Sequence, residues 1–290
     1  MKPLFFIIML IFCFNSEAMA QEDILLKPVV VPVPGSGEYK VHRNIKYRDT
    51  ASGRTLADIF VPDAEGAVHP AVIFIHGGPI PDKSVSAKDW GIYQSYGPLV
   101  TGAGLAGIVF NHRFNGLNDF KTPADDIRAL VDFIRVNAEK YSIDKDRICL
   151  WFFSGGGSFI GRFLSEQPEW LKCIVIYYGV VDHTAWKEMT GAELTQSQQA
   201  DLNPVPVLES KPDRDPAFFI AEAGKDSPMI NAGLKRFTEA AVKNGWKVEF
   251  WNHPEGPHTF DVLKDDKRSH EIILRTIDFL KTQLNNGGSR

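Results

Sequence analysis

Six runs dominated by apolar residues constrain this chain more than any other feature: "AVIFIH" (71–76), "LAGIVFN" (105–111), "RICLWFF" (147–153), "CIVIYYG" (173–179), "AFFIAEAG" (217–224) and "WKVEFWNH" (246–253). A strand that is apolar on both sides needs cover on both faces, so these runs read as strands held between layers of helix. The intervening segments carry the matching helical stripes. Ile127, Leu130, Val131 and Ile134 fall at helical spacing after Pro123 and Asp125, which suit a helix start; Ile230, Leu234, Phe237 and Ala241 repeat the pattern, as do Ile273, Ile277 and Leu280. Two earlier segments, Tyr39–Tyr47 and Thr55–Val61, bring the expected strands to eight, and the mixed polarity of "YKVHRNIKY" suits an edge or half-exposed antiparallel strand. The expectation is an α/β fold, a mostly parallel, doubly wound sheet flanked by helices, occupying residues 39–284 as a single domain.

One interval breaks the alternation. Residues 184–215 are polar and proline-bearing, and an insertion of that length after the sixth strand reads as a lid, a cap or a mobile connection. Residues 21–38, with Pro28, Pro32 and Pro34, read as an extended lead-in, and "NNGGSR" (285–290) as a frayed tail. Residues 1–20 have the form of a cleaved signal peptide: Lys2, then the apolar stretch Leu4–Phe14, then Ala18-Met19-Ala20. Eleven apolar residues fall short of the roughly 20 that a spanning helix needs, so the expectation is export to the periplasm or beyond, with no membrane insertion after signal removal. Cys13 would leave with the signal, and Cys149 and Cys173, each inside an apolar run, are expected as small buried side chains rather than a disulfide framework. The net charge of −4, spread without long runs, argues against a polyanionic partner, and no basic stripe for nucleic acid is present.

Chemistry concentrates at the ends of four runs. In "RICLWFFSGGGSF" the strand must turn into a helix at Ser154, and Gly155, Gly156 and Gly157 permit a tight turn that pushes the hydroxyl out at the carboxyl end of the sheet. The pattern G-x-S-x-G is met by Gly156 and broken by Phe152, whose ring needs a widened gap or a sideways orientation. "FIHGGP" offers the N–H groups of Gly77 or Gly78, which with that of Gly155 could converge on a developing oxyanion, each well-aimed donor contributing roughly 3–4 kcal/mol. "AEAGKDSP" supplies Asp226 and "HPEGPHTF" supplies His258. A serine hydroxyl needs a histidine to take its proton, and that histidine needs a carboxylate to fix its tautomer. The order Ser154, Asp226, His258 places each group just past a strand end. Asp182 is the rival acid, with Glu222 behind it; His253 is the rival base, and His76 reads as a brace for its own loop.

These motifs resemble the α/β-hydrolase fold family over about Tyr39 to Leu284. "HGGP", "FFSGGG", "GKD" and "PHTF" are similar to the oxyanion loop, nucleophile elbow, acid turn and histidine loop of its serine esterase, dienelactone-hydrolase-like and prolyl-oligopeptidase-like branches. Dienelactone hydrolases use cysteine where this elbow has serine, and the family keeps a small residue where Phe152 stands. The resemblance implies a serine hydrolase acting on carboxylic esters of modest size, with a small-molecule substrate and no metal or organic cofactor. Two other readings stay open: a prolyl-oligopeptidase-like peptidase, and a non-catalytic binding protein that retains the fold. Oligomeric state is not readable from these residues.

Overall fold

Each apolar run becomes a strand because its neighbours cover both of its faces, and only the two outermost strands lack that cover. The computed structural model describes residues 25–35, 38–80, 86–184, 193–210 and 216–285. The expected signal peptide, parts of the lead-in (21–24, 36–37) and of the polar interval (185–192, 211–215), and all but the first residue of the tail lie outside the described residues. The strands are β1 (Tyr39–Lys46), β2 (Leu56–Pro62), β3 (His69–Ile75), β4 (Ala106–Phe110), β5 (Ile143–Phe153), β6 (Leu171–Tyr177), β7 (Ala217–Ala223) and β8 (Val248–His253). They form one sheet in the order β1-β2-β4-β3-β5-β6-β7-β8. β2 runs antiparallel to β1 and β4, and the remaining pairs are parallel.

This order sets β3 and β5 side by side at the centre, with Ile75 opposite Phe152, so the turns after these strands meet at one rim. The turns after β6, β7 and β8 follow along the same rim. Alternate residues of β5 serve the two faces. Leu150 and Phe152 point into the core under α2 (Lys121–Val136), α3 (Ile160–Glu166) and α6 (Pro228–Lys243), whereas Trp151 and Phe153 point to the side covered by α1 (Gly91–Thr101) and α7 (Lys267–Asn285). Cys149 and Cys173 face each other across β5 and β6, both buried and both reduced.

Three expectations change. The run at 246–253 is not covered on both faces: β8 is an edge strand, half-buried along most of its length, and Trp251 is sheltered by the guanidinium groups of Arg268 and Arg275 stacked on its ring. The described part of the polar interval, expected as a lid, a cap or a mobile connection, is helical and anchored to the core. It forms α4 (Gln196–Leu202) and α5 (Val205–Ser210), Leu202 and Leu208 are buried in the core, and the Trp246 indole donates to the Leu208 carbonyl at 2.9 Å. The lead-in is docked rather than merely extended. Val29 and Val31 are buried against α1, the Val29 N–H donates to Ser95 Oγ at 2.9 Å, and the Val30 N–H donates to the Asp261 carbonyl at 2.9 Å.

Candidate active site

Ser154 occupies the left-handed region, at φ +51°, where a side chain with a β-carbon is strained. Its surroundings hold it there by close backbone approach. A β-carbon at Gly155 would lie 2.2 Å from the Gly78 carbonyl oxygen, one at Gly156 would lie 2.7 Å from that of His76, and one at Gly157 would lie 2.8 Å from that of Val180. The three glycines are therefore needed to press the elbow against the end of β3 and the chain after β6. Phe152 is accommodated on the α3 side of the sheet, fully buried, with its ring 6.4 Å from that of Phe163. Room comes from the winding of the next segment: Ser154–Phe159 forms a 3-10 helix and α3 begins only at Ile160.

Ser154, His258 and Asp226 meet at this rim. His258 Nε2 lies 2.9 Å from Ser154 Oγ, and His258 Nδ1 lies 2.6 Å from Asp226 Oδ2. The other Asp226 oxygen accepts the Ser227 N–H at 2.7 Å, which fixes the carboxylate's rotation. Asp226 accepts from Nδ1, so Nδ1 carries the imidazole proton and Nε2 presents its lone pair to the serine hydroxyl. The rival groups are engaged elsewhere. Asp182 is paired with Arg236 and accepts the Thr184 N–H; burial pushes its pKa up, but these contacts hold it below the usual carboxylate range. His253 is buried against Asp266 and Ser269, and Glu222 accepts from the Asn252 amide.

The loop after β3 is locked by two histidines. His76 Nδ1 donates to the Gly77 carbonyl at 2.6 Å, and its Nε2 accepts the His112 backbone N–H at 3.2 Å. The His112 ring stacks on His76 at 3.6 Å between centroids, and its Nε2 donates to the His76 carbonyl at 3.1 Å. Burial drives both imidazoles toward the neutral form, His76 down to about 4. With the Gly77 carbonyl held by His76, the N–H of the same planar peptide, that of Gly78, points the opposite way. The Gly77 N–H is turned to the Tyr93 hydroxyl at 3.3 Å. Of the two expected donors Gly78 is therefore the one left to face the serine, with Gly155 opposite at the start of the 3-10 helix, where N–H groups lack an acceptor in the preceding turn. Gly77 serves instead by its size, since a β-carbon there would lie 2.9 Å from Ser154 Cβ.

Sequence reasoning did not single out Tyr93, Tyr178 or Asp261. Tyr178, at φ +39°, stands 4.6 Å from the His258 ring, and its hydroxyl donates to Asp261. The only signal was position: "YYG" closes β6, and the aspartate follows "PHTF" directly.

A central parallel sheet with a strained serine after β5, an acid after β7 and a histidine after β8 defines the α/β-hydrolase fold. The model of the BD-FAE family matches residues 57–228, more than half of the chain, and the protein belongs to that family. Among solved structures, the chain is similar to a bifunctional GH43-CE protein of Bacteroides eggerthii (22% identity, TM-score 0.67), covering 84% of this chain but only 38% of that longer one. It is also similar to esterase B of Lactobacillus rhamnosis (17% identity, TM-score 0.66, 88% of this chain and 90% of that one). A third likeness is to an acetyl ester-xyloside bifunctional hydrolase of Caldicellulosiruptor lactoaceticus (17% identity, TM-score 0.66, 83% and 96%). None of the curated proteins compared matches the chain.

Proposed function

We propose that the protein is an exported serine hydrolase that cleaves carboxylic esters of modest size by acyl transfer. The observation that carries this reading is the pair of contacts from one imidazole, 2.9 Å to Ser154 Oγ and 2.6 Å to Asp226 Oδ2. In this reading Ser154 Oγ attacks the ester carbonyl while its proton passes to His258 Nε2, and Asp226 stabilises the imidazolium that forms. The N–H groups of Gly78 and Gly155 receive the tetrahedral oxyanion. Collapse of that intermediate breaks the bond to the leaving alcohol, which takes the proton from His258. Water, deprotonated by the same imidazole, then releases the acid and restores the serine hydroxyl.

Acyl groups carried on carbohydrate are the substrate class this reading favours. The support is the likeness in fold to the GH43-CE protein and the acetyl ester-xyloside hydrolase. Export rests on the signal-like residues 1–20. A fluorophosphonate probe tests the nucleophile. The mature chain should be labelled and Ser154→Ala should not, and a labelled Ser154→Ala or an unlabelled folded wild type would refute the assignment. A panel of acyl nitrophenyl esters, acetylated sugars and dipeptide amides then separates ester from peptide cleavage, and turnover of amides above esters would overturn the substrate class.

A further inference from the structure

Three residues beyond His258, a fully buried carboxylate has phenols as its side-chain partners. Asp261 Oδ2 accepts from Tyr96 at 2.7 Å and Oδ1 accepts from Tyr178 at 2.8 Å, and among the described residues no lysine or arginine is paired with it. Both phenols are themselves buried, Tyr96 on α1 and Tyr178 just after β6. The far side is closed by Phe260 and by the docked lead-in, whose Val30 N–H donates to the Asp261 backbone carbonyl. A charge in such a place is costly, and two phenolic hydrogen bonds offset only part of that cost. Burial pushes the pKa of Asp261 up to about 6, against the pull of both phenols and of a charged His258.

The geometry ties it to His258. Thr259, at φ +62°, reverses the chain so that His258 faces Ser154 while Asp261 points inward. The Tyr178 ring then lies between them, its hydroxyl on Asp261 and its ring 4.6 Å from the imidazole. The groups in contact with His258 are thus Asp226 from the turn after β7, Ser154 from the elbow and Tyr178 just after β6, while the charge of Asp261 acts on it from behind Tyr178. Those acting on Asp261 are Tyr93 and Tyr96 of α1, Tyr177 of β6, Tyr178 just after it, and His258.

We propose that Asp261 is a positioning residue for His258, a second and remote carboxylate that holds the imidazole against Ser154 through Tyr178 and the 258–261 turn and adds negative charge where the imidazolium develops. This rests on the hydrolase reading above. Its consequence is that His258 is a stronger base with Asp261 ionised than without it. The test is the rate of fluorophosphonate labelling of the full chain as a function of pH, in the wild type and in Asp261→Asn, which keeps the volume and a hydrogen-bonding amide. The acid limb should move to lower pH by about half a unit or more in the variant, the direction given by loss of a nearby negative charge. The rate above the limb should fall about three- to tenfold as the base weakens. Tyr178→Phe, which leaves the ring on His258 but removes one donor from Asp261, should shift the limb the same way by less, and it carries the comparison if Asp261→Asn does not fold. An unmoved limb in a folded variant, even with a lowered melting temperature, would overturn the proposal and leave Asp261 a purely structural group. A wild type that is not labelled at all would remove the hydrolase reading itself.

Discussion

Ser154 pays a conformational penalty that its neighbours enforce, and the acid assignment can be decided at the same scale. Asp226 and Asp182 follow adjacent strands, yet only Asp226 touches His258, and Asp182 is held by Arg236 and the Thr184 N–H. Asp226→Asn should therefore lower kcat/KM by about a thousandfold or more, because an amide stabilises neither the correct tautomer nor the imidazolium. Asp182→Asn should leave turnover within a few-fold and act on stability through Arg236. Steady-state kinetics on any accepted ester checks both, and a larger fall for Asp182→Asn would reverse the assignment. The three residues that meet at the rim, Ser154, Asp226 and His258, were legible in the sequence because each follows an apolar run near glycine or proline. Asp261 was not, because nothing in "PHTFDV" says that this aspartate faces two tyrosines brought from 83 and 165 residues away.

At the scale of elements, the 3-10 start of the segment after β5 reconciles Phe152 with the elbow. The ring belongs to the core under α3, so its role is packing and its removal should separate stability from chemistry. Phe152→Ala should cost about 3–5 kcal/mol of stability. For a domain of this size that is a fall of about 10 °C in melting temperature. Folded protein at low temperature should still label at Ser154; loss of labelling in the folded variant would mean that the ring also shapes the elbow. The strand positions were readable because buried parallel strands impose continuous apolarity. α1 was not. Pro98 and Gly97 interrupt its pattern, and Gly97 is there because a β-carbon would lie 2.4 Å from the Phe60 ring, a contact between elements that no local periodicity encodes. The helices α4 and α5 were hidden for the related reason that two buried leucines, Leu202 and Leu208, anchor an otherwise polar stretch.

The whole molecule keeps several histidines buried and neutral, and this fixes how its stability depends on pH. His76 and His183 are lowered to about 4 and His112 lies well below its usual range, each chiefly by burial. In the unfolded chain these groups take up protons near pH 6.5, so their contribution is whole above that pH and is lost as pH falls from about 6.5 toward 4. A shift of that size corresponds to roughly 3 kcal/mol per group. Asp261, raised to about 6, acts in the opposite sense, its protonated form favouring the folded state as pH falls from about 6 toward 4. Glu222, whose pKa burial also raises, acts in the same sense as Asp261, but the three buried histidines outweigh the two and predict net acid destabilisation: the melting temperature should drop between pH 7 and pH 5, and more steeply in Asp261→Asn, which lacks one opposing contribution. A melting temperature that rises over this range would contradict the burial of the neutral histidines.

What the sequence determined by itself was the alternation of covered strands and striped helices, and with it a sheet whose turns carry a serine, an acid and a histidine in that order. Apolar periodicity and glycine-rich turns are local, and they reach the reader residue by residue. What only the tertiary structure decided was that the Gly77 N–H turns to Tyr93, where the Phe152 ring goes, and which carboxylate touches His258. Those outcomes depend on contacts between segments far apart in the chain, where close packing and the burial of charge act on groups that have no local signature.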